Sequence, residues 1–205
     1  MKFRSLLMLV SILYFSIMLP AQKPNKKFVK GDGQTVQLQE HMYALPKDGA
    51  IYKIKNIASG KYIHTMNASM NTGATVHLFT NADEDHFKWK AIAFPGGFFK
   101  FKNVKSNKIL AISNSMRTEN GIICQWDDND QEDARWLPTK TKKGYKLKNK
   151  NSSFVAGIEG GGKEPGAKLL QLTDDGSADK DWVFEEVKVL VNIPTIITTP
   201  ANTTK

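Results

Sequence analysis

The sequence predicts an all-β fold: about twelve short strands, set out as three copies of one four-stranded unit with pseudo-threefold symmetry. Three observations predict it. An opening motif, Tyr52-Lys-Ile-Lys-Asn56, Phe99-Lys-Phe-Lys-Asn103 and Tyr145-Lys-Leu-Lys-Asn149, recurs at offsets of 47 and 46 residues. A closing tryptophan keeps the same offsets as Trp89, Trp136 and Trp182, each ten residues after Phe79, Trp126 or Leu172, where a short apolar run ends. Within the openings, large apolar residues alternate with lysines, the period-two pattern of a half-buried strand, and no stretch of the repeats carries an apolar stripe of helical period. A unit of this size is too small to bury its own apolar face and depends on the other copies.

The elements follow in order. Residues 1–21 begin with Lys2 and Arg4, continue through the apolar run Leu6 to Leu19 and end in Leu19-Pro20-Ala21. A basic start, an apolar middle too short to span a bilayer and a small-residue exit predict a signal peptide removed after Ala21. No cysteine follows the run, so no lipid anchor is expected. Residues 22–49 form a polar basic extension with Lys23, Lys26, Lys27 and Lys30, read as a disordered arm whose part from Thr35 to Leu45 lies against the body. The body, residues 50–187, then runs through each copy alike. After the opening strand come turn residues (Ser59-Gly60, Ser106-Asn107, Ser152-Ser153) and the short runs Tyr62-Ile63, Ile109-Leu110 and Phe154-Val155. Next come a polar turn and a third run (Thr75 to Phe79, Ile122 to Trp126, Lys168 to Leu172), then an acidic loop and the tryptophan strand. Residues 188–205 carry Pro194, Pro200 and many threonines, which exclude a continuous helix and predict an extended tail that covers an edge strand or begins a linker.

These motifs resemble the ricin B-type β-trefoil lectin domain family. The resemblance covers about residues 50–187 and rests on the aromatic-x-apolar-x-Asn openings, on Gly73 to Phe79, Asn120 to Trp126 and Gly166 to Leu172 in place of a Gly-x-x-apolar-Gln-Leu-Trp run, and on the Gln-x-Trp closings. The closings read Phe87-Lys-Trp89, Ala134-Arg-Trp136 and Lys180-Asp-Trp182: every tryptophan is kept and every glutamine lost. The resemblance implies a β-trefoil and a secreted ricin-type lectin domain.

It also implies where a sugar would sit. In that family each unit holds a sugar between an Asp on the second strand, an aromatic ending the third run and an Asn just before the closing motif. By motif, the Asp position is His64, Ala111 and Ala156; the aromatic position is Phe79, Trp126 and Leu172; the Asn position is His86, Asp133 and Asp179. The third repeat lacks both aromatic and Asp and is expected to be inactive. The middle repeat is the best candidate, with Trp126 as platform and Asp128, Asp133 and Asn114 as hydroxyl acceptors. The first offers Phe79 between His64 and His86. An apolar ring face with a few convergent polar groups is what a sugar needs.

Catalytic constellations are absent from the sequence: His41, His64, His77 and His86 form no HExxH, and there is no GxSxG, CxxC or phosphate loop. No enzyme activity, cofactor or metal is expected. The acidic run Asp127 to Asp133 lacks the central Gly and distant Glu of an EF-hand and reads as a solvated turn. Cys124, the single cysteine, has no internal partner and reads as a small buried hydrophobe. Loss of the signal removes two basic residues and no acidic one, taking the formal charge from +9 to +7. The lysines are not interleaved with aromatics as nucleic-acid platforms are, so nucleic acid is not expected as a partner. The Lys140 to Lys150 cluster reads as the solvated face of a strand. The expectation is a monomeric carbohydrate-binding module for a glycan or polysaccharide, secreted or, in a bacterium, periplasmic, with degenerate sites. The alternative is a non-catalytic scaffold that binds a protein or an acidic polymer through its basic surface.

Overall fold

The computed structural model describes residues 44–80 and 83–188. The expected signal segment, the basic arm as far as residue 43 and the tail beyond residue 188 lie outside the described residues. Twelve strands form, four to a copy: β1 Ile51–Asn56, β2 Tyr62–Thr65, β3 Val76–Phe79 and β4 Lys88–Phe94; β5 Phe98–Asn103, β6 Ile109–Ile112, β7 Ile123–Trp126 and β8 Trp136–Lys140; β9 Tyr145–Asn149, β10 Val155–Ile158, β11 Leu169–Leu172 and β12 Trp182–Glu186. No α-helix occurs among the described residues.

Six of the strands close on themselves. β1 pairs with β4, β4 with β5, β5 with β8, β8 with β9, β9 with β12 and β12 with β1, all antiparallel, so this barrel has no open edge. The other six form the hairpins β2–β3, β6–β7 and β10–β11. Bridges Thr75 to Cys124, Ile122 to Leu170 and Lys168 to His77 join each hairpin to the next and make a triangular cap. This is a β-trefoil.

The repeated residues explain the symmetry. Trp89, Trp136 and Trp182 are fully buried, and each indole Nε1 donates to a carbonyl on the second strand of its own copy: Ile63 O at 3.4 Å, Leu110 O at 2.9 Å and Ala156 O at 3.0 Å. Each also pairs in register with an opening asparagine: Trp89 with Asn103, Trp136 with Asn149, Trp182 with Asn56. Those asparagines are buried struts. Their Nδ2 groups donate to Asp179 O, His86 O and Asp133 O at 2.8, 3.0 and 2.7 Å, while their Oδ1 atoms accept from the serine turns that follow. Gln125 and Gln171 tie the hairpins in the same way, Gln125 donating to Ser69 O and Asn71 O, and Gln171 to Met116 O and Thr118 O. Leu78 takes that place in the first copy and has no amide. There His77 Nδ1 donates to Gly166 O of the third copy at 2.7 Å instead.

Two expectations are corrected here. The opening lysines do not all face solvent: Lys100 is 2% exposed, and Lys146, from the cluster read as solvated, is 5% exposed. The first lysine of each opening reaches the acidic segment of its own copy. Lys53 pairs with Asp83 at 3.9 Å, Lys100 with Asp128 at 2.6 Å and Asp130 at 2.8 Å, and Lys146 with Asp174 at 3.5 Å and Asp181 at 3.1 Å. The alternation was legible, but the loops that cover the outer face were not. Second, the residue matching His64 and Ala111 is Gly157 rather than Ala156. The strand starts at Val155, one residue later than the run Phe154-Val155 implies, and Ala156 instead matches Ile63 and Leu110 as the carbonyl that receives the indole.

Candidate functional site

Each repeat presents one hollow, bounded by the second strand, the end of the third strand and the single 3-10 turn before the closing tryptophan. Those turns are Asp85–Phe87, Glu132–Ala134 and Ala178–Lys180. They bring the first residues of the closings to the second strand: Phe87 meets His64, Ala134 meets Ala111 and Lys180 meets Gly157.

In the first repeat Phe87 stacks on His64, with ring centroids 5.0 Å apart and planes 17° apart. His64 also meets Phe79 at 5.3 Å and His86 at 5.6 Å. The three first-repeat residues that the sequence singled out are therefore brought together. Phe79 is 45% exposed, whereas His64 and His86 are 8% and 7% exposed. Neither buried Nδ1 atom makes a hydrogen bond within the described residues. Glu84 Oε2 comes within 3.2 Å of His86 Nδ1 without hydrogen-bond alignment. Burial holds the His64 imidazole well below its usual range, to about 4, helped by the neighbouring His86 and His77. His86 is lowered too, chiefly by burial and also by Lys105, against the opposing pull of Glu84 and Asp85. A depression of about 390 Å³ opens beside it, lined by Asp83, Glu84, Asp85, His86 and Lys105.

The middle repeat is more closed. Trp126 is half-buried against Ile109, Ala111 and Ala134, with its ring near Gly73. Asp128 and Asp130 are committed to Lys100; burial alone would lower that ammonium, but hydrogen bonds to the two carboxylates outweigh it and the net shift is upward. Lys100 and Arg135 also sit over the Phe94 ring, each 4.9 Å from its centroid. Asp133 is buried, and burial raises its carboxyl above the usual range despite a hydrogen bond from Ser115. Asn114 is exposed and holds a left-handed φ of 53°, as Asn67 and Gly160 do at the matching places, so its backbone conformation accounts for an Asn there. Of the four middle-repeat candidates, Trp126 and Asp133 border the hollow, Asp128 is occupied by a cation, and Asn114 belongs to a turn.

The third hollow is filled. Lys180 is buried, and a Cβ on Gly157 would lie 2.9 Å from both Lys180 Cγ and Leu172 Cδ1. The Lys180 ammonium bonds Asp175 at 2.9 Å and Ser177 Oγ at 2.8 Å. The residues missed by sequence reasoning are Phe87, Lys100 and Lys180. Phe87 and Lys180 were visible as departures from the glutamine of the closing motif; Lys100 had no such signal.

The acidic loops carry their own counter-ions. Asp127 is paired with Lys108, Asp130 with Arg135 and Glu132 with Lys150. No group of metal-ligating side chains is found among the described residues. Cys124 is buried, and burial, with the Asp133 charge, pushes its thiol up to about 12.

A family model for the ricin-type beta-trefoil lectin domain-like family matches residues 37–121 and 92–172. The chain belongs to that family. Among curated proteins, none matches it. Among solved structures, a designed threefold-symmetric protein, ThreeFoil, is similar with a TM-score of 0.66 and 23% identity, over 67% of this chain and 99% of that one. An exo-beta-1,3-galactanase from Clostridium thermocellum is similar with a TM-score of 0.66 and 24% identity over 69% of this chain; the match spans 31% of the galactanase. A Polyporus squamosus lectin bound to the human-type influenza-binding epitope is similar with a TM-score of 0.59 and 12% identity, over 68% of this chain and 50% of that one. At these identities the structural likeness establishes the fold.

Proposed function

We propose that this chain is an exported carbohydrate-binding module, and that the first-repeat hollow carries the binding with the Trp126 hollow as a weaker second site. One observation carries the reading: an exposed Phe79 face stands beside two buried imidazoles whose Nδ1 atoms make no hydrogen bond among the described residues. Phe79 offers the apolar platform; the Nδ1 atoms of His64 and His86 lie beneath the surface, and a small outward turn of either ring would present them to a hydroxyl. Leaving such groups unpaired costs about 1–3 kcal/mol each, which a bound sugar recovers. Membership of the lectin-domain family supports the same ligand class. The middle repeat, first on sequence, ranks second because Asp128 is already neutralised by Lys100. Of the lysines that the scaffold alternative would use, Lys53, Lys100, Lys108, Lys146, Lys150 and Lys180 are already engaged by carboxylates.

A glycan array run on the mature chain at low salt and at about 0.5 M salt tests this, because exposed charge contacts are screened there while stacking and hydroxyl bonds persist. Binding that survives high salt and weakens by about 1–3 kcal/mol in Phe79→Ala is expected. No glycan bound at either salt, or affinity unchanged in that variant, overturns the reading. Export is tested by mass spectrometry of the secreted chain, expected to begin at Gln22; intact Met1 forms in membranes would refute it.

A further inference from the structure

We propose that His64 and His86 make the first-repeat hollow acid-labile: it holds a neutral sugar with both imidazoles uncharged and releases it when they take up protons. The proposal rests on the carbohydrate reading above and concerns what regulates that site. Its basis is geometric. The two rings stand 5.6 Å apart, each more than nine-tenths buried, and neither Nδ1 has a hydrogen bond among the described residues. The aromatic rings that pack on them, Phe79 and Phe87, offer no acceptor; Glu84 stands beside His86, and the Thr65 backbone favours the charged form of His64 only weakly against burial. Turned to the surface, an uncharged Nδ1 without its own hydrogen can accept a sugar hydroxyl; a protonated one cannot.

The charged groups that face the pair set the order of events. Glu84 and Asp85, from the same turn, and Lys105, from the turn between β5 and β6, act on His86; His77, across the β2–β3 hairpin, acts on His64. His86 therefore has a carboxylate 3.2 Å from Nδ1, and a proton there gives Glu84 a donor and takes the nitrogen away from the sugar. Among the described residues no carboxylate acts on His64. A second proton must enter beside an already charged ring, in a place where burial and both neighbouring histidines oppose it. The sequence of His86 first and His64 second places release between the ordinary imidazole range and about pH 4. Nothing comparable exists in the middle hollow, where Ala111 and Asp133 occupy the corresponding positions.

The test has two arms. Imidazole signals of the ligand-free mature chain are followed by NMR from pH 8 to pH 3.5, and the uncharged oligosaccharides of a glycan array are read at pH 7 and pH 4 with wild type, His64→Gln and His86→Gln. Expected are titrations of His64 and His86 below that of a free imidazole, accompanied by shifts of the Phe79 and Phe87 rings, and a fall in wild-type affinity of about tenfold or more between the two pH values. Each variant should reduce that fall, whatever its affinity at pH 7. Binding that is equal at pH 7 and pH 4, a fall that both variants leave intact, or two imidazoles that titrate as free ones overturns the proposal. Binding that is absent at both pH values instead sinks the carbohydrate reading and the release proposal with it, so the two failures are told apart.

Discussion

Replacing Gln125 with Leu should destabilise the trefoil far more than its neutral chemistry implies. Gln125 is fully buried on β7. Its Oε1 accepts from Thr65 Oγ1 at 3.0 Å and Ser106 Oγ at 2.7 Å, and its Nε2 donates to Ser69 O at 2.9 Å and Asn71 O at 2.8 Å. Three of these partners lie in the first copy, so the amide is a strut between copies. Leucine keeps the volume and removes all four bonds. The two carbonyls lie at part-buried positions where water can reach, and Ser106 Oγ keeps a long contact with Asn103, so the loss falls short of four full penalties. At about 1 kcal/mol for each group that finds a new partner and more for those that do not, the cost is about 3–5 kcal/mol. Urea or guanidinium unfolding followed by tryptophan fluorescence measures it, with the exposed Gln131→Leu as control. A loss under 1 kcal/mol would refute the view that side-chain amides hold the copies together; so would an equal loss in the control. Leu78 fills the same place in the first copy without harm because His77 supplies the bond to Gly166.

Trp126→Ala, at a half-buried ring, should cost less than about 2 kcal/mol of stability and leave first-site binding within twofold, as denaturation and glycan titration would report; a loss on the scale of a core tryptophan would place it with Trp136. The pH dependence of stability should be shallower in His64→Gln. The folded imidazole sits near 4 rather than 6.5, so the unfolded chain takes the proton first, and stability complete above pH 6.5 is lost as pH falls through 4, by about 3 kcal/mol. Parallel stability–pH curves for wild type and variant would contradict this. Cys124 should resist alkylating reagents at pH 8 until the chain is unfolded, since a buried thiol held up near 12 is not a nucleophile there; native-state labelling in minutes would count against it.

The three tryptophans, the opening asparagines and the apolar alternation recur at constant offset, and residues so related must occupy matching sites in a symmetric barrel. That is why twelve strands, the pseudo-threefold axis and the aromatic positions Phe79, Trp126 and Leu172 were readable without coordinates. Only the tertiary structure decided which hollow is open. Each hollow is made where the Asp-position residue, the closing-motif residue and an acidic loop meet from separate segments: His64 under Phe87, Ala111 beside Ala134, Gly157 beneath Lys180. Lys53, Lys100 and Lys146 look alike in the repeat, yet they differ in burial because the loops Asp83, Asp128 to Asp130 and Asp174 to Asp181 fold back on them to different depths. A periodic pattern records which face of a strand is apolar, because that is a property of neighbours in the chain. Whether a polar side chain keeps its water or loses it to a carboxylate from a distant loop depends on approach in space, which pattern does not encode.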